Sequence, residues 1–394
     1  MIFRTPLVKY GYDGAALSGC TNVPPTLADT YPIGRRTAMC DGSGAASWNH
    51  DQMGRSLTEQ RKIIGSSAIT KSISYLYNQD GSVAKITYPS TNAVTYSYNG
   101  AGRATQAVDV ANNINYVTGA TYTPPGGLLT YKNGVTGTFA GITVTNGYNN
   151  RLQPTLISGA TPTTTLFSLG YGYGPANQNN GNPSTVVNNL IGASGRSQSF
   201  TYDALNRIST AQSQATSGAS CWGQSFGYDP WGNLQTISQT KCAPPILNAA
   251  ADNHNHMIGF NYDAAGNLTR EGSGTPSWNY SWDAEHRLSS ISGSAADTFT
   301  YDGDGERVKK SNGALFWRQH GGPYLTKTNL AGGIISERIL FNGLHVAILN
   351  PPTTVHYLFQ DHLGGEHLVT DATGTSNCQV NWGTLLESTR VKVP

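Results

Sequence analysis

Charge is what this sequence lacks most. Acidic and basic side chains make up 12% of its 394 residues, about half the usual share. The formal net charge is +2, and no basic run has the length that a phosphate backbone requires, which argues against a nucleic-acid partner. No apolar run approaches the ~20 residues that cross a bilayer as a helix. The opening MIFRTPLVKYGYDG also lacks the apolar centre of a signal peptide. Neither anchor nor export signal is legible, and Met1 reads as an internal start or a frame edge, because Tyr12-Asp13-Gly14 already has the form of strand and turn. Helical period is nearly absent as well. Only the stretch from Met53 to Ile64 offers one, and it alternates in part as a strand.

What is abundant is turn and strand chemistry. Gly numbers 46 and Tyr 21. The dipeptides Asp13-Gly14, Asp41-Gly42, Asn133-Gly134, Asn146-Gly147, Asn180-Gly181, Asn312-Gly313 and Asn342-Gly343 would each close or kink a hairpin. Four segments repeat one pattern: Tyr202-Asp203, Tyr228-Asp229, Tyr262-Asp263 and Tyr301-Asp302, each followed by a turn and an aliphatic residue. In three of them Gly232, Gly266 and Gly305 stand three places after the Asp, as in a type I turn with Asp first and Gly fourth. The Asp side chain accepts hydrogen bonds from the turn backbone, and Gly tolerates positive φ.

Weaker copies lie at Trp282-Asp283, where His286 replaces Gly, at Asp51 with Gly54, and around Tyr77, Tyr98 and Tyr148. The spacing of about 20 residues suits one hairpin per unit. The expected fold is all-β: antiparallel hairpins forming a spiralling ribbon or partial hollow shell. The stretch 119–200 is rich in Gly, Asn, Thr and Pro, so irregular loops on a β framework are expected there.

Candidate chemistry is sparse. Cys221 and Cys242 flank the Tyr228-Asp229 turn and can face each other across one hairpin, but a one-residue bulge would move one thiol to the other face. Their disulfide therefore stays open, as does that of Cys20 with Cys40, and Cys378 is left over. Asp252, His254 and His256 have ligand chemistry, yet two His on one strand face define no third or fourth ligand, so a polar loop leading into a strand from Ile258 to Tyr262 is the simpler reading. His345, His356, His362 and His367 cluster near Asp361 and Glu366, but no nucleophile stands beside a base at a fixed spacing. The expectation is no catalysis, no metal and no cofactor. The repeat aromatics read as framework rather than as a sugar-stacking row.

The periodic Tyr-Asp hairpins, followed by Tyr357-Leu358-Phe359-Gln360-Asp361-His362-Leu363-Gly364 and by Val369-Thr370-Asp371, resemble the Rhs/YD-repeat family and its repeat-associated core, over roughly residues 40 to 375. This resemblance implies a shell of coiled hairpins that, in polymorphic toxins, encloses a variable C-terminal toxic domain. It divides the chain into degenerate repeats at 1–200, well-formed repeats at 201–320, a core-like segment at 321–375 carrying Asp361, His362, Gly364 and Asp371, and a divergent tail at 376–394. In the core, Glu366 and His367 replace a small residue or Pro and an Arg, and neither the family's self-cleavage motif nor a toxin-sized domain follows. The chain is also short for a closed shell. The implied function is a non-catalytic shell wall whose partners are a C-terminal toxin domain or further repeats of a longer protein, bacterial and secreted or at the cell surface. The alternative is a surface adhesion module binding cell-surface carbohydrate.

Replacing Gly232 or Gly266 by Val is expected to misfold its hairpin, since a β-branched side chain disfavours positive φ by more than roughly 1 kcal/mol. Thermal stability unchanged in both variants would remove the turn assignment.

Overall fold

In the computed structural model, residues 7–382 and 388–391 are described, apart from 176–177, 272–276 and 320; from 377 onward only the backbone is described. Among these residues there is no α-helix, only a 3-10 turn at Ser194–Arg196. The chain is otherwise a meander. A sheet of 19 strands runs from Lys9 to Asn248, and one of 14 strands from Asn261 to Val391. Within each sheet every strand pairs antiparallel with the next in sequence. No long crossover is needed, as expected for antiparallel strands joined by short turns.

The repeat turn has one geometry throughout. In Asp229–Asn233 the Gly232 amide donates to the Asp229 carbonyl at 3.1 Å and the Asp229 amide to the Asn233 carbonyl at 3.0 Å. Gly232 has φ +93° and Gly266 +87°. A type I turn followed by a left-handed residue is the three-residue hairpin loop with a bulge, and the register shifts between Gly227 and Tyr228 accordingly. Where Gly is missing, the left-handed place is filled by Asn206 (φ 62°), His286 (60°), Asn255 (65°) or Leu152 (58°).

One expectation needs correction and two become definite. In the stretch 119–200 the β framework is Leu128–Asn133, Ile142–Tyr148, Pro154–Ala160 and Thr165–Gly172, regular paired strands, with loops before Thr185 and before Gln198. Their Gly and Thr residues sit within the strands, where cross-strand pairing outweighs local propensity. The 53–64 region is strand Ser56–Ile64. The segment Asp252–His256 is not a loop into a long strand but another repeat turn, with the Asn255 amide on the Asp252 carbonyl and strand only at Asn261–Tyr262.

The ribbon coils back beside itself. Lys309 Nζ donates to the Ile64 carbonyl, Tyr88 Oη to the Arg338 carbonyl, Ser90 Oγ to Glu337, Tyr96 Oη to the Leu340 carbonyl and Tyr357 Oη to the Asn115 carbonyl, across 245, 250, 247, 244 and 242 residues. These contacts mean that residues from about 300 onward form a second circuit lying along the first, with a separation near 245 from Ile64 to Asn115 that shortens to about 200 at Phe167 and His367. The turn near 65 of the first circuit meets the turn at Leu330, and the turn near 90 meets strand Ile334–Phe341. Between the circuits lies the main core, with Ile73, Ile86, Tyr116, Val117 and Ile142 packed with Leu325, Ile339, Phe341, Leu349 and Phe359. Each such aliphatic or aromatic side chain contributes roughly 1.5–3 kcal/mol on burial. By contrast, no described apolar side chain between Ile237 and Val308 is fully buried, up to and past the turn at Asp302, where polar contacts of that arc with the first circuit begin.

The seam also holds a buried ion cluster. Arg61 bonds Glu59 of its own strand, at 2.8 and 3.0 Å, and Asp302 of the second circuit, and all three side chains are buried. Burial alone would lower the Arg61 pKa, but the two carboxylates raise it well above its ordinary value. Beside the cluster, Arg36 binds Asp304 through two 2.7 Å bonds, and Asp41 accepts the Gly303 amide at 2.7 Å.

Arg61→Met leaves two buried carboxylates unpaired, and a loss of about 3–5 kcal/mol in urea unfolding is expected. Replacing Glu59, Arg61 and Asp302 together by apolar residues is expected to recover most of it. A single-variant loss below about 1 kcal/mol would contradict the cluster's role in the seam.

Candidate functional site

Each repeat turn builds the same side-chain arrangement. The Asp accepts the backbone amides two and four residues on: Asp203 Oδ1 takes Leu205 N and Arg207 N, both at 2.9 Å, and Asp229 takes Trp231 N and Asn233 N at 2.9 and 2.8 Å. Its second oxygen binds the residue four places on, Arg55, Arg207 or Arg287 through Nε at 2.6, 2.7 and 2.8 Å, or Asn233 and Asn267 through the amide at 2.7 and 2.9 Å. The same Arg covers the aromatic ring of the next repeat: Arg55 lies 4.6 Å from the Tyr77 centroid, Arg207 4.5 Å from Tyr228 and Arg287 4.8 Å from Tyr301.

The aromatic ring then reaches backwards. Tyr77 Oη donates to the Ser56 carbonyl at 2.9 Å, Tyr98 to Val83 at 2.8 Å, Tyr148 to Leu128 at 2.9 Å, Tyr202 to Pro183 at 2.8 Å, Tyr228 to Ile208 at 2.9 Å and Tyr301 to Leu288 at 2.9 Å. Trp282 does the same through Nε1 to the Leu268 carbonyl at 2.7 Å. These bonds make a ladder linking each hairpin to the one before. Tyr262 is the variant: its hydroxyl oxygen accepts the Met257 amide at 3.0 Å, and His256 stacks on its ring at 4.1 Å and 9° in place of Arg.

The sequence missed two rungs, Tyr122 on the Ala104 carbonyl at 2.6 Å and Tyr173 on the Pro154 carbonyl at 2.9 Å. Their turns lack the Asp, so only a Tyr four places before Gly126 marked the first. The core-like residues turn out to be further copies of the turn. Asp361 accepts Leu363 N and Gly365 N at 2.9 Å with Gly364 in the left-handed place, and Asp371 accepts Thr373 N and Thr375 N at 2.9 Å. Asp51 with Gly54 and Asp263 with Gly266 do likewise. Asp302 and Gly305 keep the turn, but the second Asp302 oxygen goes to Arg61 across the seam.

The cysteines pair. Cys221 and Cys242 form a disulfide with a Cα–Cα distance of 5.9 Å, just beyond the paired ends of strands Gly223–Tyr228 and Leu234–Lys241. Cys20 and Cys40 form another at 6.1 Å, tying the segment before residue 36 to strand Arg36–Cys40. The side chain of Cys378 lies outside the described residues.

Turn geometry sets the electrostatics. The Asp203 and Asp252 carboxyls are held below the usual range chiefly by backbone amides, and those of Asp229 and Asp263 chiefly by the side-chain amides of Asn233 and Asn267. Burial would raise Asp51 and Asp283, but bonds from Arg55 and Arg287 outweigh it. Burial raises the ladder tyrosines, as at Tyr202 and Tyr228. Among the described residues no group of three or more His, Cys, Asp and Glu side chains is placed to hold a metal ion. His254 and His256 belong to a turn. No described helix is long and apolar enough to cross a membrane. What the arrangement does chemically is fix backbone against backbone.

Residues 68–316 match the Teneurin YD-shell family. No curated protein matches the chain. Solved structures with a similar fold include TcdB2-TccC3, with a TM-score of 0.70 at 15% identity over 89% of this chain and 21% of that one. The Photorhabdus luminescens Tc holotoxin pore has a TM-score of 0.70 at 15% identity, over 89% of this chain and 20% of that one. TcdB2-TccC3 without its hypervariable C-terminal region gives 0.69 at 15% identity, with the same coverage of 89% and 20%. The chain thus spans about a fifth of the length of the proteins whose fold it shares.

Tyr228→Phe removes one rung and leaves the Ile208 carbonyl unpaired, so a loss of about 0.5–1.5 kcal/mol in urea unfolding is expected; no loss would make the bond incidental. The turn carboxylates predict a pH dependence of definite sign. Their folded pKa values are depressed, so the stability they contribute is complete above the unfolded value of about 4 and is lost as pH falls through the folded values. Asn already serves at the first place of the turn in Asn99 and Asn149. The triple variant of Asp203, Asp229 and Asp263 to Asn should fold and lose less stability below about pH 4 than the parent. Equal slopes would remove the carboxylates as the cause.

Proposed function

The chain belongs to the Teneurin YD-shell family, and on that premise we propose that it is a length of non-catalytic shell wall which, in a longer secreted bacterial protein, winds around a C-terminal toxic domain. The observation that carries this reading is the coil: contacts between residues some 190 to 270 apart recur along the ribbon, so one circuit lies beside the next. A ribbon that stacks circuit on circuit makes a wall and covers the turn-bearing edges that would otherwise remain open. The fold match to TcdB2-TccC3, a protein with a hypervariable C-terminal region, supports a wall that serves a replaceable payload.

An adhesion module binding carbohydrate is the weaker reading. The row of tyrosines that would stack on sugars is covered by Arg55, Arg207 and Arg287, and its hydroxyls are used in the ladder.

Electron microscopy of the purified chain tests the coil directly. A curved particle with two circuits in lateral contact is expected. An extended or aggregating ribbon would overturn the wall reading for this chain.

A further inference from the structure

Burial disfavours the protonated form of three histidines of the second circuit. His367 is buried, and neither ring nitrogen has a hydrogen-bond partner within the protein. Its ring packs 5.8 Å from Phe167, which also meets Phe359 at 5.4 Å. His362 lies 4.6 Å from the Tyr171 ring, and its Nδ1 has no protein partner. Phe167 and Tyr171 belong to strand Thr165–Gly172 of the first circuit. His362 and His367 belong to the hairpin of strands Thr354–Gln360 and Glu366–Thr370 in the second. Both contacts are therefore seam contacts. His345, on strand Leu344–Asn350, also has a buried Nδ1 without a partner.

Charged groups around these rings do not compensate for burial. Asp361 faces His362 and His367 and favours their protonation, while Arg196 of the first circuit opposes it at His367. Asp361 Oδ1 accepts the amides of Leu363 and Gly365, which fixes that carboxylate in its own turn. At His345, Arg338 opposes protonation and Glu366 favours it. Burial is the largest influence at all three, and each is held below its usual pKa.

We propose that the seam is an acid-released clasp, in which protonation of His362 and His367 separates the 354–370 hairpin from strand Thr165–Gly172 while the strand pairing within each circuit holds. An imidazolium at His367 would carry two N–H donors with no acceptor against an aromatic ring, which a desolvated site does not tolerate. The sign follows from the direction of the shifts. The neutral form is favoured by the fold, so stability is complete above the unfolded value of about 6.5 and is lost as pH falls through the folded values. The turn carboxylates act only below about pH 4. In the interval between, the histidines lose stability as pH falls, whereas Glu337, pushed up by burial at the Ser90 end of the seam, acts with the opposite sign. The proposal rests on the seam geometry and not on any payload, so the two readings fail separately.

The test uses the intact chain. Imidazole resonances are titrated by NMR, and amide exchange, corrected for its intrinsic pH dependence, is compared at about pH 7.5 and about pH 5.5. Midpoints below about 6.5 are expected for His362 and His367. Protection in 165–172 and 354–370 is expected to fall by up to about tenfold per pH unit for each histidine, with 198–241 unchanged. Midpoints at or above about 6.5, unchanged protection at the seam, or equal loss in 198–241 would overturn the proposal. The double variant His362→Phe and His367→Phe should flatten the response between these pH values. If it does not fold, the parent's titration and exchange pattern decide.

Discussion

The structure depends on a single bond made over and over: a tyrosine hydroxyl, or the Trp282 indole, donating to a main-chain carbonyl of the hairpin before it. A two-stranded hairpin on its own is marginal in water. Here each one is fixed to its predecessor by the strand ladder, by the aromatic hydrogen bond and by the arginine that joins its own turn carboxylate to the next ring. Local turn chemistry and coupling between repeats are therefore the same few residues. That is why so little charge and so few large aliphatic residues suffice along the arc from Ile237 to Val308.

The seam works by different physics. Within a circuit, cohesion comes from hydrogen bonds and ring contacts at the surface. Between circuits it comes from buried apolar area, the Glu59–Arg61–Asp302 cluster and Glu337, which takes bonds from Ser90 while burial pushes its carboxyl up. The ladder has its last tyrosine rung at Tyr301, and at Asp302 the turn carboxylate exchanges its own-turn partner for Arg61. One residue type at one place in the repeat thus serves the ribbon in the first circuit and the coil in the second.

The sequence made the ribbon legible because its turn is local: Asp first and Gly fourth specify backbone torsions without reference to the rest of the molecule. It made the coil illegible because the seam pairs residues some 190 to 270 apart, and nothing near Ser90 announces Glu337. The decayed turns fell between these cases. Asp252–His256 keeps the Asp and replaces Gly by Asn255, the commonest non-glycine substitute in left-handed backbone, whereas its two histidines drew attention to metal chemistry instead. In the stretch 119–200 only a β framework with loops was legible, because Gly and Thr are poor indicators one at a time. Partners across the strands decide such cases, and these become visible only once the meander is laid out.

From Ile64–Lys309 to Asn115–Tyr357 the pairings across the seam keep a separation of 242 to 250 residues, which gives that part of the molecule a circumference counted in hairpins. Repeats usually multiply freely, since each contacts only its neighbours. Here a duplicated hairpin inside the arc from Ile237 to Val308 would slide the second circuit along by one unit. Arg61 would then face a turn other than Asp302, and Ser90 a strand other than Ile334–Phe341. Growth at either end of the ribbon leaves those pairings intact. Coiling thus turns a modular chain into one whose middle is fixed in length while its ends stay open to addition.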